Sequence, residues 1–179
     1  MTDKVNSIIA TEQYPIGKFV YPLNYSLEDL TGWIKIIRHF PLTLKEQVTH
    51  LSELDLIKTY RTGGWNIRQL IHHCADSHIN AYVRLKLALT ENNPIIKTYH
   101  ENSWAELPDT NLTPVGISLE ILIGVHYRWS ILLDHLEEQE WARSYTHPES
   151  GKITPVWAMT ALYAWHSNHH LRHIQNALA

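Results

Sequence analysis

The sequence contains a single cysteine, Cys74, in 179 residues. It can form no internal disulfide, so the fold must rest on a packed core, and the chain suits a reducing compartment, the cytoplasm by default. Charge is also sparse: 18% of residues are Asp, Glu, Lys or Arg, and the net charge is −3 with histidine neutral. No run of Lys or Arg occurs. That excludes the electrostatic footprint of a nucleic-acid binder and leaves no basic patch for an anionic membrane surface. No apolar stretch approaches the ~20 residues of a membrane span. The start, Met1-Thr2-Asp3-Lys4-Val5-Asn6, lacks the basic-then-apolar pattern of a signal peptide. There is no strand-like alternation, internal repeat or low-complexity tract. The expectation is one domain over residues 1–179, large enough to bury about 70% of its unfolded surface.

What is present is helical periodicity. Residues 1–25, with Pro15 and Pro22, read as an extended N-terminal arm lying over the rest. A first helix starts at Ser26, with Asp29 in the capping-box position. Leu27, Leu30, Ile34 and Ile37 follow at helical spacing, and Pro41 is expected to kink or split the helix. Gly63-Gly64 marks a loop. The second helix has Asn66 as N-cap, Gln69 three residues on, and Trp65 and Leu70 placed as a hydrophobic staple; it runs to about Glu91. Residues 92–117 form a long connection, of a length that is often functional. A third helix follows Ser118, from Leu119 to about Glu138. Residues 142–154 read as a loop. The fourth helix starts with Thr154 as N-cap and Pro155 at the first helical position. The fold expected is all-α, a four-helix bundle with an extended arm and a long connection between helices two and three.

Thirteen histidines are unusual for this length. At about 100° per residue, Ile67, Leu70, Ile71, Cys74, Ala81, Leu85 and Leu89 form the core face of the second helix. His78 lies within it. His73 lies on a flank, about 130° from its centre, beside Ser77, Asn80 and Arg84. In the fourth helix, Val156, Tyr163, Leu171, Ile174 and Leu178 define the core face, with His170 inside it. His169 and His173 stack one turn apart on a flank, with His166 beside them. An i, i+4 pair of imidazoles can share a metal, with a third ligand from a facing helix. His73 fits that role, although His166–His170 is a second pair with the same spacing and buried or surface histidines would satisfy the pattern equally. His126 faces either the site or the core. The segment His169-His170-Leu171-Arg172-His173 lacks the Glu of the H-E-x-x-H zinc-protease motif, so a hydrolytic base would have to come from elsewhere. Cys74 reads as a buried apolar thiol. Trp104, Trp129 and Trp165 read as aromatic packing, with a pocket wall as the alternative.

The run Gly63-Gly64-Trp65-Asn66-Ile67-Arg68-Gln69-Leu70-Ile71-His72-His73-Cys74-Ala75-Asp76-Ser77-His78, together with Trp165-His166-Ser167-Asn168-His169-His170-Leu171-Arg172-His173, resembles the DinB/YfiT superfamily, in particular the YfiT-type metal-dependent hydrolases. The stretches Tyr14-Pro15-Ile16-Gly17 and His126-Tyr127-Arg128-Trp129 support the likeness, which covers the chain from about residue 14 onward. The resemblance implies a DinB-like four-helix bundle and one divalent transition metal per chain, zinc or nickel. It implies ligands from one His on the second helix and an H-x-x-x-H pair on the last, here His73, His169 and His173. It also implies a homodimer.

Three His ligands leave a coordination position open for water or a small-molecule substrate. The expected function is therefore a metal-dependent hydrolase. The alternatives are a metal-dependent S-transferase using a low-molecular-weight thiol of the bacillithiol type, and a non-enzymatic metal-binding stress protein. Asn80 and Arg84 are candidates for contacting substrate or steadying a ligand.

Overall fold

The computed structural model describes residues 11–179. Four long helices carry the fold: α1 (Leu27–Val48), α2 (Ile67–Thr90), α3 (Val115–Asp134) and α4 (Val156–Leu178). Going around the bundle, α1 packs against α3 and α4, and α2 packs against the same two, so α1 and α2 lie on opposite corners. The site-bearing helices α2 and α4 are thereby neighbours.

Local sequence accounts for the starts of two of the four helices. Ser26 and Asp29 close a capping box on α1, and Asn66 and Gln69 do the same on α2. Each satisfies amide groups that the first helical turn leaves orphaned. Pro41 neither splits α1 nor ends it; the helix runs through this buried proline to Val48. α3 begins at Val115 with Pro114 as its cap and ends at Asp134, four residues ahead of the expected limits at both ends. Ser118 is not its cap: its hydroxyl lies 2.7 Å from His72 Nδ1. α4 begins one residue later than expected, because Thr154 and Pro155 still belong to a strand.

That strand corrects the expected loop over 142–154. β1 (Ser144–Thr146) and β2 (Ile153–Pro155) form an antiparallel hairpin, with Tyr145 opposite Thr154. The long connection contributes a third extended piece, since the Ile96 amide donates to the Thr146 carbonyl. It also contains two short helical turns, Glu101–Trp104 and Pro108–Leu112. Arg143 donates from Nε to the Ala88 carbonyl at 2.7 Å and from Nη2 to the Glu91 carbonyl at 2.8 Å, tying the hairpin to the C-terminal end of α2. Of the N-terminal arm, residues 1–10 lie outside the described residues. Residues 11–13 are helical, and the rest lies along the bundle, with Phe19 against Trp165 and Tyr25 against Trp157.

The apolar core falls into two lobes. One gathers Ile37, Leu85, Trp129, Met159 and Tyr163; the other gathers Phe40, Leu70, Ile71, Leu122 and Ile174. Cys74 lies fully buried in the second lobe, and burial pushes its thiol well above its ordinary pKa, as an inert apolar side chain. Between the lobes runs a layer of histidines. One further feature departs from expectation. By length and composition α3 is apolar enough to cross a membrane, yet only 33% of that stretch is buried in the bundle. Ile117, Ile121, Tyr127 and Ile131 of α3 are exposed.

Candidate metal centre

Seven of the 13 histidines are buried, an unusual number of polar rings to remove from water. Five of the thirteen converge where α2 meets α4. His73 Nε2 lies 3.3 Å from His166 Nε2, and His170 Nε2 lies 3.2 Å from the same atom. One hydrogen could serve only one of these two contacts. Three nitrogens sharing a vertex at such distances match a tetrahedral ion, for which 2.0–2.1 Å bonds place ligand nitrogens about 3.4 Å apart.

His73, His166 and His170 form one group whose ligand atoms lie within 4.8 Å of one another, and His169, His170 and His173 form another. The set expected from the resemblance, His73, His169 and His173, is split between them. His169 and His173 do lie together, with ring centroids 4.2 Å apart. His73 meets His166 and His170 instead.

The outer pair is held by aromatic rings. His169 stacks on Trp165 at 4.4 Å and more loosely on Tyr14 at 6.0 Å. Among the described residues, its Nδ1 is buried without a hydrogen-bond partner. His173 stacks on Tyr60 at 3.8 Å, and its Nε2 lies 3.2 Å from the Gln13 carbonyl of the arm. Tyr60 lies just ahead of the Gly63-Gly64 turn, which folds back against its ring. A Cβ on Gly64 would stand 2.8 Å from Arg61 Cγ and 3.1 Å from the Tyr60 ring, so the turn needs glycine there.

Behind the inner group lie two more imidazoles. His78 Nε2 is 3.0 Å from His166 Nδ1, His78 Nδ1 is 2.6 Å from His126 Nε2, and His126 Nδ1 is 2.5 Å from the Ile37 carbonyl. His126 therefore faces the site layer from α3.

Burial keeps these rings neutral. It lowers His73 to about 4, with a smaller push from His173, and lowers His126 to about 4. Burial is again the first cause for His169, at about 3, and for His173, at about 4. His78, His166 and His170 are depressed well below the usual range for the same reason. Neutral imidazoles present lone pairs at neutral pH, which is the state a metal requires.

The cavity over the group has a volume of about 350 Å³. Tyr60, Trp65 and Trp165 form its aromatic walls, and among the described residues Glu101 is the only carboxylate on its lining. Trp165 is thus both packing and pocket wall, whereas Trp129 is wholly buried core and Trp104 packs on Tyr99. A second polar cavity of about 230 Å³ shares His166 and Glu101 with the first and is bordered by Arg84, Tyr99 and Tyr163. Arg84 therefore sits beside the centre, donating to the Lys97 carbonyl. Asn80 borders neither cavity; its amide donates back to the Asp76 carbonyl. His166 and His170, the second pair of equal spacing in the sequence, are the inner pair, and Tyr60 and Glu101 join the site without having been expected there. The equal i, i+4 spacing of His166 and His170 was the available signal.

Comparison with known proteins agrees with this architecture. A protein of Halalkalibacterium halodurans named "Putative metal-dependent hydrolase" is 49% identical over 166 residues, 93% of this chain and 96% of its own length. One of the same description from Oceanobacillus iheyensis is 48% identical over 163 residues, covering 91% and 94%. Among solved structures, YfiT from Bacillus subtilis, described as "a probable metal-dependent hydrolase with an unusual four-helix bundle topology", superposes with a TM-score of 0.91 at 39% identity, covering 93% of this chain and 95% of that one. A mycothiol-dependent maleylpyruvate isomerase shares the fold alone, at a TM-score of 0.60 and 15% identity, over 84% of this chain and 61% of its own. Residues 42–174 match the DinB superfamily, and the chain, a four-helix bundle of the YfiT kind, belongs to that superfamily.

Proposed function

We propose that this protein is a hydrolase working with one divalent transition ion, zinc or nickel, held by His73, His166 and His170. The observation that carries the ligand set is the pair of Nε2–Nε2 separations, 3.3 and 3.2 Å, meeting at His166. An all-imidazole donor set suits zinc and nickel among the common divalent ions. When bound, such an ion supplies Lewis acidity to a carbonyl or similar electrophile.

The chain's own residues do the rest. Tyr60, Trp65 and Trp165 offer flat apolar walls that orient a small substrate, and a cavity of this volume suits one. Glu101, on the long connection, takes the part of the proton acceptor absent from the His169–His173 segment. His169 and His173 form the outer wall, fixed by Trp165 and Tyr60. The exposed apolar residues of α3 support a homodimer.

The test is metal content after saturation and desalting. His73→Ala, His166→Ala and His170→Ala should each lose the ion, whereas His169→Ala should keep it. A metal-free His169→Ala with a fully loaded His166→Ala would overturn this ligand set. Turnover of ester and amide panels without added thiol is expected; turnover of electrophiles only with a saturating low-molecular-weight thiol would make the protein an S-transferase instead.

A further inference from the structure

A proline inside α1 and a histidine on α3 share one carbonyl. In an α-helix the Ile37 carbonyl would accept from the amide of residue 41. Residue 41 is proline, which has no amide hydrogen and whose ring crowds that carbonyl. Among the described residues, the side-chain group that meets the Ile37 carbonyl is His126 Nδ1, at 2.5 Å. Both Pro41 and His126 are buried.

That carbonyl can only accept, and this fixes the hydrogens along the whole chain of rings. A neutral imidazole carries one N–H and one lone pair. His126 must donate from Nδ1, so its Nε2 accepts. His78, at 2.6 Å, therefore donates from Nδ1 and accepts at Nε2. His166, at 3.0 Å, donates from Nδ1, which leaves the lone pair on Nε2. That is the atom standing 3.3 and 3.2 Å from the Nε2 atoms of His73 and His170. One hydrogen on each ring satisfies all three contacts.

We propose that Pro41 and His126 are positioning residues for the metal centre: Pro41 frees the Ile37 carbonyl, which anchors the His126–His78–His166 chain in the one donor order that turns the Nε2 lone pair of His166 toward His73 and His170. This rests on the ligand set proposed above. The same logic holds for His170 with a different anchor. His173 donates from Nε2 to the Gln13 carbonyl, so its Nδ1 accepts from His170 Nδ1 at 3.4 Å, and the His170 lone pair also lies on Nε2. Three bundle helices and the arm thus each contribute to aiming ligands on the fourth. A ligand histidine is ordinarily steadied by one acceptor for its other N–H, and removing that acceptor costs about 10–100-fold in metal affinity. Here the acceptor of last resort lies two imidazoles away.

The test uses the full chain, with zinc or nickel affinity and the ¹⁵N shifts of the metal-free protein as readouts. In the wild type, His166 should show the Nδ1–H form before any metal is added. His126→Phe breaks the chain, so His166 should become a mixture of forms and affinity should fall about 10–100-fold. His126→Gln should recover most of that loss, because its carbonyl can accept from His78 while its NH₂ donates to Ile37. Pro41→Ala restores a competing amide at residue 41. It should weaken metal binding in the same direction while leaving thermal stability equal or higher, an opposition that loss of packing cannot produce. Unchanged affinity and an unchanged His166 form in both His126→Phe and Pro41→Ala would overturn the proposal. Equal losses in His126→Phe and His126→Gln would overturn it as well. A wild type that binds no metal would refute the proposed function, while the metal-free ¹⁵N spectrum would still decide the order of the imidazole chain.

Discussion

Lowering the pH should unfold the metal-free protein steeply between about pH 6 and 4.5, in proportion to the buried histidines. The sign follows from their environment. In the unfolded chain each ring has an ordinary pKa near 6.5, whereas burial holds the folded rings of His73, His126 and His173 at about 4. The unfolded state therefore binds more protons below pH 6.5. The stabilisation is complete above that value and is lost as pH falls toward 4. At pH 5 each such ring costs about 2 kcal/mol relative to pH 8, so these three together cost about 6 kcal/mol. That matches the whole stability of a domain, about 5–15 kcal/mol, before His78, His166 and His170 are counted. The assay is urea unfolding followed by tryptophan fluorescence at half-unit pH steps. Near pH 5.5 these three rings alone give a slope of about 3–4 kcal/mol per pH unit. His126→Gln should reduce it by about one proton, or roughly 1 kcal/mol per unit. A wild-type slope below about 1.4 kcal/mol per unit, less than one proton, would refute the claim that these rings fold neutral.

Two further outcomes follow from the site and the surface. Glu101→Gln should lower turnover by about 10²–10⁴-fold with metal content unchanged, as loss of a proton acceptor does; retained turnover would remove Glu101 from the reaction. On α3, Ile117, Ile121, Tyr127 and Ile131 fall within an arc of about 120°, and Ile79 and Val83 of α2, which packs against α3, are exposed as well. Sedimentation should give a dimer that Ile121→Lys with Val83→Glu converts to a monomer, and a monomeric wild type would refute this use of the face.

Most of the fold was legible because it is written locally. The capping boxes at Ser26 and Asn66 and the 3.6-residue periodicity are short-range signals, and they placed the start of α1 and both ends of α2 within a residue or two. The features that were missed depend on distant partners. Strands of three residues are too short to show alternation, and β1 and β2 exist because they pair with each other and with the connection at Ile96. Ser118 looked like a cap because serine caps helices, but its hydroxyl is engaged by His72. Pro41 looked like a break because a proline removes a helical hydrogen bond; the freed carbonyl is filled by His126, so the helix continues.

On the ligand set proposed above, the site was only half legible, and the reason lies in how helical phase is used. Assigning histidines to a polar flank assumes that water-seeking groups avoid the core face. That holds for an ordinary amphipathic helix and directed attention to His73, His169 and His173. It fails where the site reaches inside the bundle, because a ligand, or a ring that backs one, must then point along the core face. His170 and His78 both do so, and His126 occupies the matching depth on α3. Burying an imidazole without a partner costs several kcal/mol, so a histidine at a core phase is the more informative observation. Three helices each place one between the same two apolar lobes. With a proline that leaves one carbonyl open at that level, the sequence carried the axis of the metal centre in the residues that its amphipathic pattern set aside.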